Sequence, residues 1–280
     1  MLFGDFNCST KPGENFNEDT IFYNEKLLIV MDAATNLSKI RFTSEESDGC
    51  WLSKNTVSLL SEFLNDSTES IPHALERVSK ILKDEINSLG CNNEELYPSG
   101  SIVIARIVND TVEIFSIGDC SALIEFSNSC KKMLIRDDNI SKMDNAALNQ
   151  LKEWREQSGK PIIELTPQIR EMLIKNRNKR NKENGYWIFD PTGIAIKYAT
   201  TLKFNCSEIK SIALMSDGFY SISMFENFSD NSKIISALKS NPAGKMIDDI
   251  FEELNKDVQL NKYPRFKIKD DASVVFAKIK

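Results

Sequence analysis

Residues 101–126 read SIVIARIVNDTVEIFSIGDCSALIEF. Three apolar runs of strand length, SIVIARIV, TVEIFSIG and SALIEF, are separated by two short polar breaks. Asn109-Asp110 has the signature of a two-residue hairpin turn. Asp119-Cys120 is the only break between the second run and the third. The stretch predicts an antiparallel meander, with no helical crossover between its strands. Upstream, DTIFYN and KLLIVM within residues 19–31 predict two more strands, joined by a turn at Asn24-Glu25. Between them and the meander lie two helical patterns. Residues 48–64 carry apolar side chains at helical spacing. Residues 71–89 do the same, with Pro72 in the first turn. Downstream, residues 141–182 predict helix, loop and helix, closing on the basic RNKRNK of residues 177–182. Strands resume as YWIF, GIAIKYATTLKF and SIALM. A helical region follows over 217–261, and ASVVFAKI is the last strand. Segregated runs of strands and helices argue for an α+β fold of antiparallel sheets layered under helices, rather than alternating βαβ units.

The chain has 280 residues, with 41% hydrophobic and 27% charged side chains, the balance of a folded globular protein. No repeat or linker divides it, so a single domain over 1–280 is expected. Its net charge of −6 is wrong for general nucleic-acid binding, which needs basic surface to displace counterions. No apolar run is long enough to span a bilayer. No basic stretch followed by an apolar one opens the chain, so a cytoplasmic protein without membrane contact is expected. The six cysteines have no CxxC spacing and predict free, mostly buried thiols. His73 is the only histidine, which excludes zinc sites built on two or more histidines. Any catalysis must therefore rest on carboxylates, lysines or a metal held by oxygen.

The aspartates fall where such chemistry could assemble. Asp32 follows the apolar LLIVM, Asp119 follows EIFSIG, and Asp217 follows SIALMS. Asp270 and Asp271 precede ASVVFAKI, and Glu18-Asp19 opens TIFY. Any one of them could simply cap a turn. Together they bring several carboxylates to the mouths of buried strands, where unpaired charges repel and resist desolvation. A divalent cation relieves both costs. Oxygen ligands with no imidazole or thiolate select Mg²⁺ or Mn²⁺ over zinc. Two such ions about 4 Å apart can activate water and clamp a phosphoryl oxygen, with no side-chain nucleophile.

These residues resemble the metal-dependent protein phosphatase 2C (PPM) family. Asn17-Glu18-Asp19 matches its first motif, and LLIVMDAATNL its second. PSGSIVIARI and IGDCSALI match the middle of the family pattern. LMSDGFYSI and DDASVVFAKI match its last two motifs. The motifs occur in family order from residue 17 to 276 and cover nearly the whole chain. The resemblance implies a four-layer α-β-β-α sandwich of two antiparallel sheets flanked by helices, with a helical insert at about residues 140–182. It implies a phosphoserine/phosphothreonine protein phosphatase using two Mn²⁺ or Mg²⁺ ions and the water between them. Asp32 would bridge the ions, with the backbone carbonyl of Ala33 on one of them. Asp217 and Asp270 would complete the second. Asp270 is chosen over Asp271 because it stands three residues before Ser273. Glu18 and Asp19 would orient metal-bound waters, and Asp119 is the candidate for a weak third ion. The partner implied is a phosphorylated protein.

The chain also departs from the family pattern. Glu14 stands where the family has its phosphate-binding arginine. Ala34 replaces a histidine that serves some members as general acid, and Ser221 replaces an aspartate that helps hold a third ion. These losses leave a second reading open, a weak or inactive phosphatase fold that binds and regulates a partner. The retained Asp32, Asp217 and Asp270 oppose it. The pattern from Asp32 to Thr35 also suggests a haloacid dehalogenase, but that chemistry needs an acid where Ala34 stands. Arg265 and Lys267, just before Asp270, are candidate replacements for the missing phosphate ligand. Residues 175–182 read as a solvated helix end or as a flap that meets an acidic or phosphorylated partner. Asp48 reads as a helix N-terminal acid or a site residue. Trp51 and Trp187 read as core, and His73 as surface or packing.

Overall fold

The computed structural model describes residues 1–35, 40–65, 68–128 and 131–280. In chain order the strands are β1 (Phe3–Lys11), β2 (Asp19–Tyr23), β3 (Leu27–Ala34), β4 (Ser99–Val108), β5 (Thr111–Ile117), β6 (Ser121–Phe126), β7 (Lys132–Ile135), β8 (Thr200–Asn205), β9 (Ile209–Met215) and β10 (Ala272–Ile279). The helices are α1 (Asp48–Leu64), α2 (Ile71–Ser88), α3 (Asn139–Ser158), α4 (Ile162–Leu165), α5 (Arg170–Arg177), α6 (Asp217–Tyr220), α7 (Asn231–Ser240) and α8 (Ala243–Lys256). The strands form two antiparallel five-stranded sheets, ordered β1-β10-β9-β6-β7 and β2-β3-β4-β5-β8.

The burial pattern of β3 explains the layering. Leu27, Ile29 and Met31 join a core formed with Leu60 of α1 and Leu75, Val78 and Leu82 of α2. Leu28 and Val30, on the opposite face, join Leu214, Val275 and Ala277 of the other sheet. A strand covered on both faces reads as an unbroken apolar run, as LLIVM does. The second sheet repeats the scheme on its outer face. Met215, Val274 and Phe276 pack with Ile247, Ile250 and Leu254 of α8. Each such side chain contributes about 1.5–3 kcal/mol by leaving water. The result is the expected four-layer α-β-β-α sandwich. Side-chain oxygens of Ser47 and Ser70 cap α1 and α2, accepting from Cys50 N and His73 N.

The insert brings its own small core. Ala147, Leu151, Ile162, Leu165 and Ile169 bury against Leu260, with Phe266 and Ile268 half-buried beside them. Helices α3–α5 are therefore seated on the segment that leads into β10.

Several sequence expectations need correction. Val108 pairs with Thr111 across the expected Asn109-Asp110 turn. The third run does not continue the meander, because β5 and β6 lie in different sheets. The chain crosses between layers at Gly118, whose φ of +79° suits glycine. A Cβ there would lie 2.3 Å from Ser101 Oγ. Apolar strands of facing sheets share one composition, so the pattern could not say which sheet SALIEF joins. GIAIKY is not strand: Ile194–Tyr198 forms a 3₁₀ turn, and YWIF contributes only isolated bridges at Tyr186 and Phe189. Strand β1 was not anticipated, being a polar edge strand with an irregularity between Gly4 and Asn7. The four-residue β7 escaped notice for its length. The helical region after Asp217 is broken into α6, α7 and α8 and ends at Lys256.

Candidate metal centre

Neighbouring strands deliver their carboxylates to one end of the sandwich. Asp19, at the start of β2, pairs directly with Asp32 near the end of β3, and Asp32 in turn faces Ser101 of β4. Ser101 Oγ donates to Asp119 Oδ1 at 2.6 Å and accepts from Asp119 N–H at 3.1 Å. The sheet crossing at Gly118 thus fixes Asp119 against β4. In the other sheet, Met215 pairs with Val274. Beyond that pair, Ser216 N–H donates to the Ser273 carbonyl and Ser273 N–H donates to Ser216 Oγ. These bonds hold the end of β9 beside the start of β10, and so Asp217 beside Asp270. Gly218 permits the approach, since a Cβ there would lie 1.9 Å from the Asp271 carbonyl oxygen.

Asp32, the Ala33 backbone, Asp119, Asp217, Asp270 and Glu18 all line one cleft of about 280 Å³. Their electrostatics are unfavourable as they stand. Burial pushes the Asp32 carboxyl well above the usual range, and Asp19, Asp217, Asp270 and Asp119 all push the same way. Burial raises Asp217 to about 7, with Asp270 and Asp119 adding to it. Asp19 is raised well above its ordinary value by burial, against partial relief from the Ser273 and Ser216 hydroxyls. Those hydroxyls lie near without reaching hydrogen-bond geometry. Both Asp19 oxygens and Asp217 Oδ1 are buried with no hydrogen-bond partner. Buried polar atoms normally have partners. Orphaned carboxylate oxygens among like charges fit a hard divalent cation. Among the described residues, no three His, Cys, Asp or Glu side chains already converge on a single ion position. An ion here would draw on the Ala33 carbonyl and on water as well.

The remaining sequence candidates separate by geometry. Glu18 accepts from the hydroxyls of Ser47 and of Thr35, the latter at 2.6 Å, which fixes its carboxylate at the cleft wall. Asp271 accepts from Gly13 N–H and Glu18 N–H, each at 2.7 Å. It clamps the loop before β2, while Asp270 faces the cleft. Lys267 pairs with Asp270. Burial opposes its charge, but the carboxylates of Asp270, Asp217 and Asp32 outweigh that and hold the ammonium up. Arg265, the other candidate phosphate ligand, has no N–H group left to offer. All five of its N–H groups are engaged, with the carbonyls of Ile268, Tyr263, Leu254 and Asp257 and with Asp257 Oδ2. Asp48 is fully buried and accepts from Phe42 N–H, Thr43 N–H and Thr43 Oγ1, so it anchors a loop. Ser221 Oγ donates to the Gly218 carbonyl. His73 lies on the surface beside Glu69. Trp51 is core and donates to Glu85, whereas Trp187 is half-buried and stacks on Tyr198. The five described free cysteines are buried or half-buried. Cys130 lies outside the described residues.

Two further residues of the cleft are not among the site candidates that the sequence offers. Asp144 of α3 and Arg177 at the end of α5 both line it. Arg177 belongs to the basic stretch already noted, but its contact with the cleft spans 142 positions of sequence. Asp144 carries no local motif at all.

The sequence matches no family model and no curated protein. Its fold matches solved structures along their whole length. One is the catalytic domain of the serine/threonine protein phosphatase PstP in complex with two manganese ions. That match has a TM-score of 0.58 and 14% identity and covers 99% of each chain. Another is the serine/threonine phosphatase Stp1 of Staphylococcus aureus, at TM-score 0.54 and 15% identity, covering 100% of this chain and 96% of that one. A third is PppA, a regulatory component of T6SS in Pseudomonas aeruginosa, at TM-score 0.57 and 12% identity, with both chains fully covered. Two antiparallel five-stranded sheets between helical layers are the fold of the PP2C (PPM) type serine/threonine phosphatases.

Proposed function

We propose that this chain is a Mn²⁺- or Mg²⁺-dependent phosphomonoester hydrolase acting on phosphoserine and phosphothreonine in proteins. One observation carries the reading. Asp19, Asp32, Asp119, Asp217 and Asp270 are held together, and three of their oxygens are buried without partners. A fold that needed only to bind a partner has no physical reason to keep such repulsion. Asp32, Asp217, Asp270 and the Ala33 carbonyl would hold two ions. Bound there, the ions would supply charge neutralisation, activation of water and polarisation of a phosphoryl oxygen. Glu18, fixed by Ser47 and Thr35, would accept a hydrogen bond from water entering the cleft. Asp19 would orient water from the opposite strand. Lys267 would compensate the negative charge of Asp270 whenever an ion leaves. With Ala34 on the cleft wall, no histidine stands at that position to protonate the leaving alkoxide.

The changes at Glu14, Ala34 and Ser221 favour the second reading, a partner-binding module without turnover. Hydrolysis of p-nitrophenyl phosphate separates the two. Turnover that needs Mn²⁺ and stops with chelator supports the hydrolase. Mn²⁺ binding without turnover, on this substrate and on phosphopeptides alike, would replace it with the regulatory reading.

A further inference from the structure

A cleft built from carboxylates repels a phosphate dianion, and metal ions balance only part of that charge. Phosphate capture therefore needs a cation whose donors are free. The usual position holds Glu14, which is exposed and acidic. Among the described residues, the only basic side chains lining the cleft are Lys267 and Arg177. Lys267 is paired with Asp270. The nearby Arg265, Arg180 and Arg136 do not line the cleft. Arg265 has no free N–H. Arg180 donates to the carbonyls of Tyr97 and Glu94, latching the insert to the start of β4. Arg136 lies over the Tyr220 ring, donates to Ser141 Oγ and keeps its Nε buried without a partner, but it lines the adjoining wall and not this cleft.

Among the described residues, Arg177 is the one arginine lining this cleft, and it has donors to spare. Its Nη1 donates to the Thr35 carbonyl at 2.8 Å. Among the described residues it has no carboxylate at ion-pair distance, so four of the five N–H groups of a guanidinium are left over. Thr35 is itself fixed, donating to Glu18 Oε1 and accepting from Gly49 N–H. The guanidinium is thus pinned at the mouth of β3, three residues beyond Asp32. The insert core and the Arg180 latch hold its helix in place. A preorganised planar fork with spare donors suits bidentate pairing with phosphate oxygens.

We infer that Arg177, supplied by the helical insert, is the phosphate-binding residue of this cleft and performs the capture that Glu14 cannot. This inference rests on the hydrolase reading, but phosphate binding tests it separately. Arg177→Gln keeps an N–H for the Thr35 carbonyl and removes the charge. Arg177→Ala removes both, and Arg177→Lys restores charge without the fork. With Mn²⁺-loaded protein, Arg177→Gln is expected to raise KM for p-nitrophenyl phosphate and the inhibition constant of inorganic phosphate about tenfold. The Mn²⁺ titration should not change, and Arg177→Lys should recover part of the loss. Should wild-type protein show no turnover, the hydrolase reading fails. Calorimetric titration of inorganic phosphate into the Mn²⁺-loaded proteins then decides the role of Arg177. Binding about tenfold weaker in Arg177→Gln supports it. Equal binding in a folded Arg177→Gln, or no phosphate binding by the wild type, overturns it.

Discussion

Asp19 and Asp32 stand directly opposite one another across the β2–β3 ladder, a buried and a half-buried acid on one face of a sheet. Cross-strand partners have Cβ atoms about 4.5–5.5 Å apart, where like charges destabilise. The pair is held by hairpin register and by the cores on either side of β3, not by any attraction between the acids. The cleft therefore stores repulsion that a divalent cation would relieve.

Asp19→Asn should separate stability from metal binding. Removing one charge relieves Asp32, so the metal-free variant should melt higher than metal-free wild type. The same change should weaken Mn²⁺ binding and shrink the gain in melting temperature on adding Mn²⁺. A ligand at 100 times its dissociation constant stabilises by about 2.7 kcal/mol, which fixes the scale of the wild-type gain. A metal-free variant that melts lower than wild type would contradict the stored repulsion.

The pH dependence follows from the same acids. Asp217 is raised to about 7, and Asp19 and Asp32 are raised well above 3.8. A carboxyl with a raised folded pKa binds more protons in the folded state between its two values. The stability it contributes is complete below the unfolded value and is lost as pH climbs through the folded one. Acids with depressed values, such as Asp257 and Glu125, lose their contribution only under more acid conditions. Chelator-treated protein should thus resist urea better at pH 5 than at pH 8. Mn²⁺ affinity should run the other way and rise with pH, since bound ions displace protons. Urea midpoints and calorimetry at both pH values check the two signs.

The final Asp-Asp pair offers a sharper division. Asp32→Ala and Asp270→Ala should each abolish Mn²⁺-dependent hydrolysis while leaving the fold intact. Asp271→Asn should mainly lower stability, because it disturbs two backbone N–H bonds from the loop before β2. Each disturbed bond is worth about 1–3 kcal/mol. Its Mn²⁺ titration should match wild type. If Asp271→Asn loses an ion and Asp270→Ala does not, the register of the motif shifts by one residue.

The centre was legible because Asp32, Asp217 and Asp270 each adjoin an unbroken apolar run, and acids at the mouths of buried strands stand out in sequence. What did not show was which sheet each run joins. SALIEF looks like the continuation of TVEIFSIG, yet a glycine with positive φ sends it to the other sheet. Arg177 and Arg265 cannot be told apart in sequence for a related reason. Both lie in basic, loop-flanked sequence, and only the fold shows that Asp257 and four carbonyls engage Arg265, while Arg177 reaches Thr35. The Arg177 contact spans 142 positions of sequence, whereas the Arg265 partners lie within eleven residues but in a loop with no period to read.

Arg265→Ala should accordingly act on stability and not on substrate. The Arg265–Asp257 pair is largely buried at 2.8 Å, and removing one partner of a buried pair costs about 3–5 kcal/mol. Asp257 keeps its backbone donors at Asn261, Lys262 and Tyr263, which places the loss near the lower figure. The denaturation midpoint should fall, with KM for p-nitrophenyl phosphate unchanged under conditions where the variant is folded. A tenfold rise in KM without loss of stability would return Arg265 to the site.

The number of ions is the last expectation. Asp32, Asp217, Asp270 and the Ala33 carbonyl suffice for two. A third needs Asp119 together with another carboxylate, and Ser221, on the adjoining wall with Asp119, offers a neutral hydroxyl already donated to the Gly218 carbonyl. A hydroxyl gives a hard cation little of the charge it requires. Asp48 cannot substitute, since Phe42 and Thr43 engage it. Wild-type protein should therefore take up two Mn²⁺ ions with measurable affinity and a third only weakly. Ser221→Asp should strengthen that third step, because it sets a second charge beside Asp119. Anomalous scattering from Mn²⁺-soaked crystals, with calorimetry, counts the sites. Three strong sites in the wild type would point to Asp144, which lines the same wall and whose carboxyl is raised to about 6 by burial and by the charge of Asp119. Asp144→Asn would then remove the third ion and leave the other two in place.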